Sequence, residues 1–254
     1  MAWDHVQSLK EVVRHSLHIV GLDAMISTVK GYKGYEAAHL DAQTTAERFR
    51  AIYQLQAWVH HKGQTSSSGR GSEVAATGCL IAALPQLLLS LKANSVLDVG
   101  CGDWNWMRQI EWPCPYVGVD IVPELIEANR VYERDGVEFR TVDAIAGPLP
   151  EADVAICREV LFHLSFSDAM AVLRNICCSA QRLIATTDER IWFNSNIKTG
   201  DFRLLNLLKS PFNFPPPHQS VADGAVSRGR RLGIWSIADL PKWNIWEKAG
   251  RGCT

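Results

Sequence analysis

The chain has 254 residues, enough for one large α/β domain with an appended helical segment and short for two full domains. Hydrophobic residues make up 47% and charged residues 21%, which excludes a disordered chain. The formal net charge of −1 gives no electrostatic footprint for a nucleic-acid backbone, although Arg228, Arg230 and Arg231 form a small basic group.

Seven cysteines (79, 101, 114, 157, 177, 178 and 253) include no Cys-x-x-Cys pair and have no histidine at a finger-like interval, so no metal site is expected. Their usage fits a reducing, cytoplasmic setting. The N-terminus has no basic region followed by an apolar core, so no secretion signal is expected. The longest apolar stretch, 79–91, holds a proline and is too short to span a bilayer; no membrane partner is expected.

In chain order, Val6, Leu9, Val12, Val13, Leu17 and Val20 fall near a helical period and predict a helix within 3–30. A second helix is predicted over 44–60, with Phe49, Ile52, Tyr53, Leu55 and Trp58 as its apolar positions. The Ser/Gly-rich run at 62–73 must be irregular, and by composition reads as a flexible linker. From 73 the pattern changes to helix 73–91, strand 95–100, a helix from 104, strand 116–121 and a helix from Pro123 to about Arg134. Strands at 137–143 and 153–159, a helix at 167–179 and a strand at 182–188 follow. Strands alternating with helices predict a Rossmann-like α/β fold: a seven-stranded, mostly parallel sheet with helices on both faces and an antiparallel C-terminal strand. Short strands near 218–222 and 231–240 would close the sheet as a hairpin, after a proline-rich stretch at 211–217. The division expected is 1–72, an N-terminal helical segment with a Ser/Gly lid, and 73–254, the cofactor-binding domain.

The informative segment is VLDVGCGDWNWM at 96–107. Gly100 and Gly102 lie where a strand turns toward a helix, so backbone can approach a ligand closely; alone, such a pair is equally a tight turn. Asp120 ends the second strand and can accept hydrogen bonds from both ribose hydroxyls. Asp143 ends the third and can meet an adenine amino group. A dinucleotide site would want a third glycine at 105, where Asn stands between Trp104 and Trp106, and Asp98 and Asp103 would repel a diphosphate. S-adenosylmethionine carries an ammonium and a sulfonium instead, which suit carboxylates and aromatic faces. This reading prefers it over NAD or ATP.

These segments resemble class I S-adenosylmethionine-dependent methyltransferases. More narrowly, SGRGS (68–72), CGDWNWM (101–107), TGDFR (199–203) and PFNFPPP (211–217) resemble a poorly characterised bacterial subgroup, over about 58–241. The resemblance implies that Asp98, Gly100 and Gly102 hold the methionine end, Asp120 the ribose, and Asp143 with Ala144 the adenine. It also implies that SGRGS folds over the cofactor, with Ser68 and Ser72 as donors. Asp103, Trp104, Ile121 and Arg158 complete the expected cofactor contacts. The subgroup has Arg-Asp after the fourth strand; here Arg158-Glu159 stands there.

For an alcohol acceptor, His163 in the loop after the fourth strand is the expected base, against a purely bracing role. Arg158 either binds an acidic acceptor group or pairs with Glu159 or Asp143. Asp201 and Arg203 are expected on the acceptor side; Trp104, Trp106, Phe212 and Phe214 either stack on substrate or belong to the core. The chain lacks the Asn/Asp-Pro-Pro-Tyr/Phe and Pro-Cys signatures of DNA methylation after the fourth strand, having ICREVLFHL there. The expected activity is O-methylation, ahead of N-methylation, of a small metabolite or saccharide, with no nucleic-acid partner. The alternatives are protein or RNA methylation, or cofactor binding without catalysis. The N-terminal helices either cover the substrate site or mediate a homodimer.

Overall fold

A computed structural model describes residues 37–223 and 229–242, with 12, 13, 16, 17 and 20. The helix expected over 3–30 falls almost wholly outside the described residues, as do Arg228 and Cys253.

The seven strands are β1 (Val96–Val99), β2 (Tyr116–Asp120), β3 (Val137–Thr141), β4 (Ala152–Cys157), β5 (Ala180–Asp188), β6 (Gln219–Ala222) and β7 (Arg230–Ser236). They form one sheet in the order β3-β2-β1-β4-β5-β7-β6. The first five are parallel, and β7 runs antiparallel to both β5 and β6. The expected hairpin therefore forms, with its second strand inserted against β5.

Every residue of β1 is buried, as a central parallel strand covered on both faces requires. Alternate side chains feed two cores. On one face Leu97, Val99, Ala155 and Cys157 meet Val172, Leu173 and Ile176 of helix α4 (Phe166–Ser179) and the tail residues Phe212, Phe214 and Trp235. On the other, Val96, Tyr116, Val154 and Ile156 meet Leu80, Leu84, Leu87 and Leu88 of helix α2 (Val74–Ser90). Phe212 and Phe214 thus belong to the core, and PFNFPPP serves as a belt: Trp235 packs edge-on against Phe214 at 5.2 Å and its Nε1–H donates to the Pro215 carbonyl at 2.8 Å.

Helix α1 (Thr45–Gln54) starts at a capping box, Thr44 Oγ1 accepting from Glu47 N–H and the Glu47 carboxylate from Thr44 N–H. It is shorter than the 44–60 expected, because Gln56 takes a left-handed φ of 51° and Ala57 N–H turns back to the Ile52 carbonyl. The helix expected from 104 shrinks to one turn at Met107–Gln109: Trp104 also has a positive φ, 52°, and Trp112-Pro113 follows at once. Helix α3 (Pro123–Asn129) ends earlier than Arg134 and passes into a 3-10 turn at Arg130–Tyr132. Among the described residues no helix is long and apolar enough to cross a membrane.

Trp235→Ala should cost about 3–5 kcal/mol, as removal of a buried large aromatic does. Urea denaturation would show it as a lower midpoint with an unchanged slope; a midpoint equal to wild type would contradict the tail's place in the core.

Candidate active site

The carboxyl ends of β1, β2 and β4 open into a cavity of about 980 Å³, counting its mouth. Parallel strands point their carboxyl ends the same way, so side chains far apart in sequence converge there. Asp98, Asp120 and Asp143 all line it.

Asp98 is 3% exposed and its Oδ2 accepts from the Tyr116 hydroxyl at 2.5 Å. Burial pushes its carboxyl up to about 7, against the Tyr116 bond, which favours the ionised form. Asp120 ends β2 and spends one bond per oxygen on the chain itself: Oδ2 accepts from Gly102 N–H and Oδ1 from Val122 N–H, each at 3.0 Å. Burial raises its carboxyl too. Asp143 stands two residues past β3, where Oδ1 accepts from Ile145 N–H at 2.9 Å. Gly100 and Gly102 have φ of 74° and 57°. A Cβ on Gly100 would strike Val160, and one on Gly102 would strike the Ser68 hydroxyl, so the bend is closed around the protein's own groups as well as lining the cavity.

The Ser/Gly segment is fixed, and Asp103 fixes it. Its Oδ2 accepts from Ser67 N–H at 2.6 Å and from the Ser66 hydroxyl at 2.9 Å, while Asp103 N–H donates to Ser68 Oγ at 3.1 Å. Glu73 accepts from Thr65 and Ser66 N–H at 2.8 and 2.7 Å. The linker reading of 62–73 is therefore corrected: charge-assisted bonds to two carboxylates hold the segment over the strand ends, with Ser68 and Ser72 on the cavity wall. Asp103 itself lies beneath that segment and off the wall. Trp104 is also away from the cavity, 1% exposed among Tyr116, Tyr132 and Phe139, whereas Trp106 does line it.

Arg158 lines the cavity with its guanidinium held bidentately by Asp223, Nε and Nη2 each near 3 Å from a carboxylate oxygen. Nη2 also donates to the Gly71 carbonyl at 2.9 Å. Its partner is thus Asp223, with Glu159 at 3.4 Å, rather than Asp143. Glu159 takes a φ of 62° and pairs with Arg230. Arg230 is buried and Arg231 bonds the Ser220 hydroxyl, so neither offers the free basic group read from the sequence.

His163 follows β4 in the turn Leu161–His163. Its Nδ1 lies 3.1 Å from the Asp201 carbonyl, an acceptor, so Nδ1 carries the proton and Nε2 the lone pair. Burial pushes the imidazole down to about 4, which keeps it neutral. Arg203 stands behind this loop, not at the acceptor: 1% exposed, it donates to the carbonyls of Leu161 and Leu164 at 2.7 Å and of Ser195 at 3.0 Å. TGDFR therefore scaffolds the His163 turn, with Gly200 N–H donating to the His163 carbonyl. Phe49, Tyr53 and Trp58, read from the sequence as apolar helix positions, line the cavity. Neither they nor Asp223 carried a motif that would have marked them.

Residues 75–181 match the family model described as a methyltransferase domain. No curated protein matches the chain. Among solved structures, magnesium protoporphyrin IX methyltransferase (ChlM) from Synechocystis PCC 6803, with bound SAM, is similar over 76% of this chain and 97% of that one, with a TM-score of 0.52 and 15% identity. The N-methyltransferase NodS from Bradyrhizobium japonicum WM9 is similar over 64% of this chain and 96% of that one, with a TM-score of 0.49 and 15% identity. At such identities the likeness is one of fold. Residues 75–181 thus carry a methyltransferase domain, and the sheet order is the Rossmann-like one expected from the sequence.

The folded Asp98 carboxyl holds its proton to about 7, against 3.8 for an ordinary aspartate. Between those values the folded state binds more protons than the unfolded, so this group's contribution to stability declines as pH rises through the window. Asp98→Asn, which keeps an acceptor for Tyr116, should therefore gain in melting temperature over wild type on going from pH 5 to pH 8. An equal difference at both would mean that Asp98 titrates normally.

Proposed function

We propose that the chain transfers a methyl group from S-adenosylmethionine to a hydroxyl of a small metabolite or saccharide, with His163 as the base. One observation carries this: a neutral imidazole, its Nδ1–H tied to a backbone carbonyl, lines the same cavity as three strand-end carboxylates.

The donor set suits the cofactor. Asp98, nearly buried, gives Oδ2 to Tyr116 and leaves an oxygen for an ammonium; Gly100, Gly102, Ser68 and Ser72 would hold the same methionine end. Each Asp120 oxygen already accepts one backbone N–H and has a second lone pair for the ribose hydroxyls. Ile121 lies beside it, and Asp143 and Ala144 would meet the adenine. Asp103 serves by anchoring Ser66–Ser68, Trp104 by packing beneath the bend, and Arg158 by tying the lid to the β6–β7 hairpin. Bound there, the cofactor supplies a methyl carbon made electrophilic by its sulfonium. The chain's part is to align acceptor oxygen with that carbon and to take the proton the oxygen gives up, at His163 Nε2, as the carbon–sulfur bond pair returns to sulfur. The chain divides at 72–73, with the Ser/Gly segment covering and the part from 73 catalysing. An RNA acceptor has less support, since Arg230 and Arg231 are engaged within the protein.

S-adenosylhomocysteine at ~100-fold above its Kd should add about 2.7 kcal/mol of stability in a thermal shift, and an equal response to NAD would defeat the cofactor assignment. Asp120→Asn should weaken that binding by roughly 1–3 kcal/mol. With labelled cofactor and cell extract, His163→Ala should lower transfer at least ~100-fold. In the wild type the acid limb of kcat should lie well below the 6.5 of an ordinary histidine, since the base is neutral at any pH above about 4. Unchanged turnover in His163→Ala would remove the base.

A further inference from the structure

We propose that the acceptor is an uncharged aromatic hydroxyl compound, its ring taken against Trp58 with its hydroxyl at His163; this rests on the cofactor and base roles above. The wall carrying His163 is a continuous set of rings. Trp58 lies 4.5 Å from the His163 ring, with Tyr53 at 5.5 Å and Phe49 at 6.4 Å edge-on to Trp58. All four line the cavity. Phe49 and Tyr53 stand four residues apart, one helical turn of α1, and the left-handed Gln56 brings Trp58 back beside them.

Charge disfavours an anionic acceptor. Beyond the carboxylates given to the cofactor, Glu159 lines the cavity, while its one arginine, Arg158, is held bidentately by Asp223 and stacks on Trp106 at 5.2 Å. A carboxylate or phosphate entering here would lose water and meet no available cation among the described residues. A saccharide is disfavoured for a different reason. Each of its hydroxyls needs a partner once out of water, and the acceptor wall offers few: the Tyr53 hydroxyl is bonded to Ser68 at 3.1 Å, leaving Thr45, His163 and a Glu159 carboxylate already paired with Arg230. A flat ring with one or two hydroxyls needs only those, and the aromatic faces reward it with offset or edge-on contact.

The test is calorimetric titration of the full chain, saturated with S-adenosylhomocysteine, with phenol, benzoate and methyl glucoside. Phenol should bind at least ~10-fold tighter than either of the others, a difference of about 1.4 kcal/mol. Trp58→Leu should weaken phenol ~5-fold or more, and Trp58→Phe, which keeps an aromatic face, should recover most of the loss. Because the ranking of the three probes is read on wild type, it stands even if a variant fails to fold. Benzoate or glucoside binding as tightly as phenol, or phenol indifferent to Trp58→Leu, would overturn the inference while the cofactor assignment stood. Failure of wild type to bind S-adenosylhomocysteine would overturn both.

Discussion

Carboxylates buried at the ends of parallel strands are the constraint on which this molecule turns. An ionised carboxylate out of water is costly unless it is met by donors or a cation. Asp120 meets its need with two backbone N–H groups, and so defines the Gly100–Gly102 bend. Asp98 receives only the Tyr116 hydroxyl and is left with a raised proton affinity. A cation arriving beside it would restore its charge, so binding and deprotonation would be coupled at this position.

The roof follows the same logic. Asp103 and Glu73 gather the N–H and hydroxyl groups of Thr65 to Ser68, so a run with no apolar anchor of its own becomes ordered by two acidic side chains. Arg158 ties the next turn of that roof to Asp223, at the end of β6. Roof, strand ends and sheet edge thus share one polar network, and the acceptor wall is added by α1 and Trp58.

Much of this was legible in the chain. The four-residue buried strand, the carboxylates at 98, 120 and 143, and the strand–helix alternation are local patterns, and they carried the sheet and the cofactor side. The helix read from 104 failed because hydrophobic spacing says nothing of backbone handedness, and Trp104 turns left. Trp104 and Arg203 are drawn toward the site by the motifs they stand in, CGDWNWM and TGDFR; whether such a side chain lies in a wall or behind it depends on contacts made across the fold. The Arg158–Asp223 pair spans 65 positions, and Phe49, Tyr53 and Trp58 share a helical period with ordinary core residues. Nothing local distinguishes them.

Gly71 shows how tightly the roof is fitted. The space its missing side chain would occupy is filled by the Glu159 carboxylate, while its carbonyl is an acceptor for Arg158. A single added methyl would push that carboxylate away from Arg158 and Arg230, or lift the turn and leave the Arg158 guanidinium with one acceptor fewer. Alanine at this position would therefore strain the polar network that joins the roof to the cavity wall.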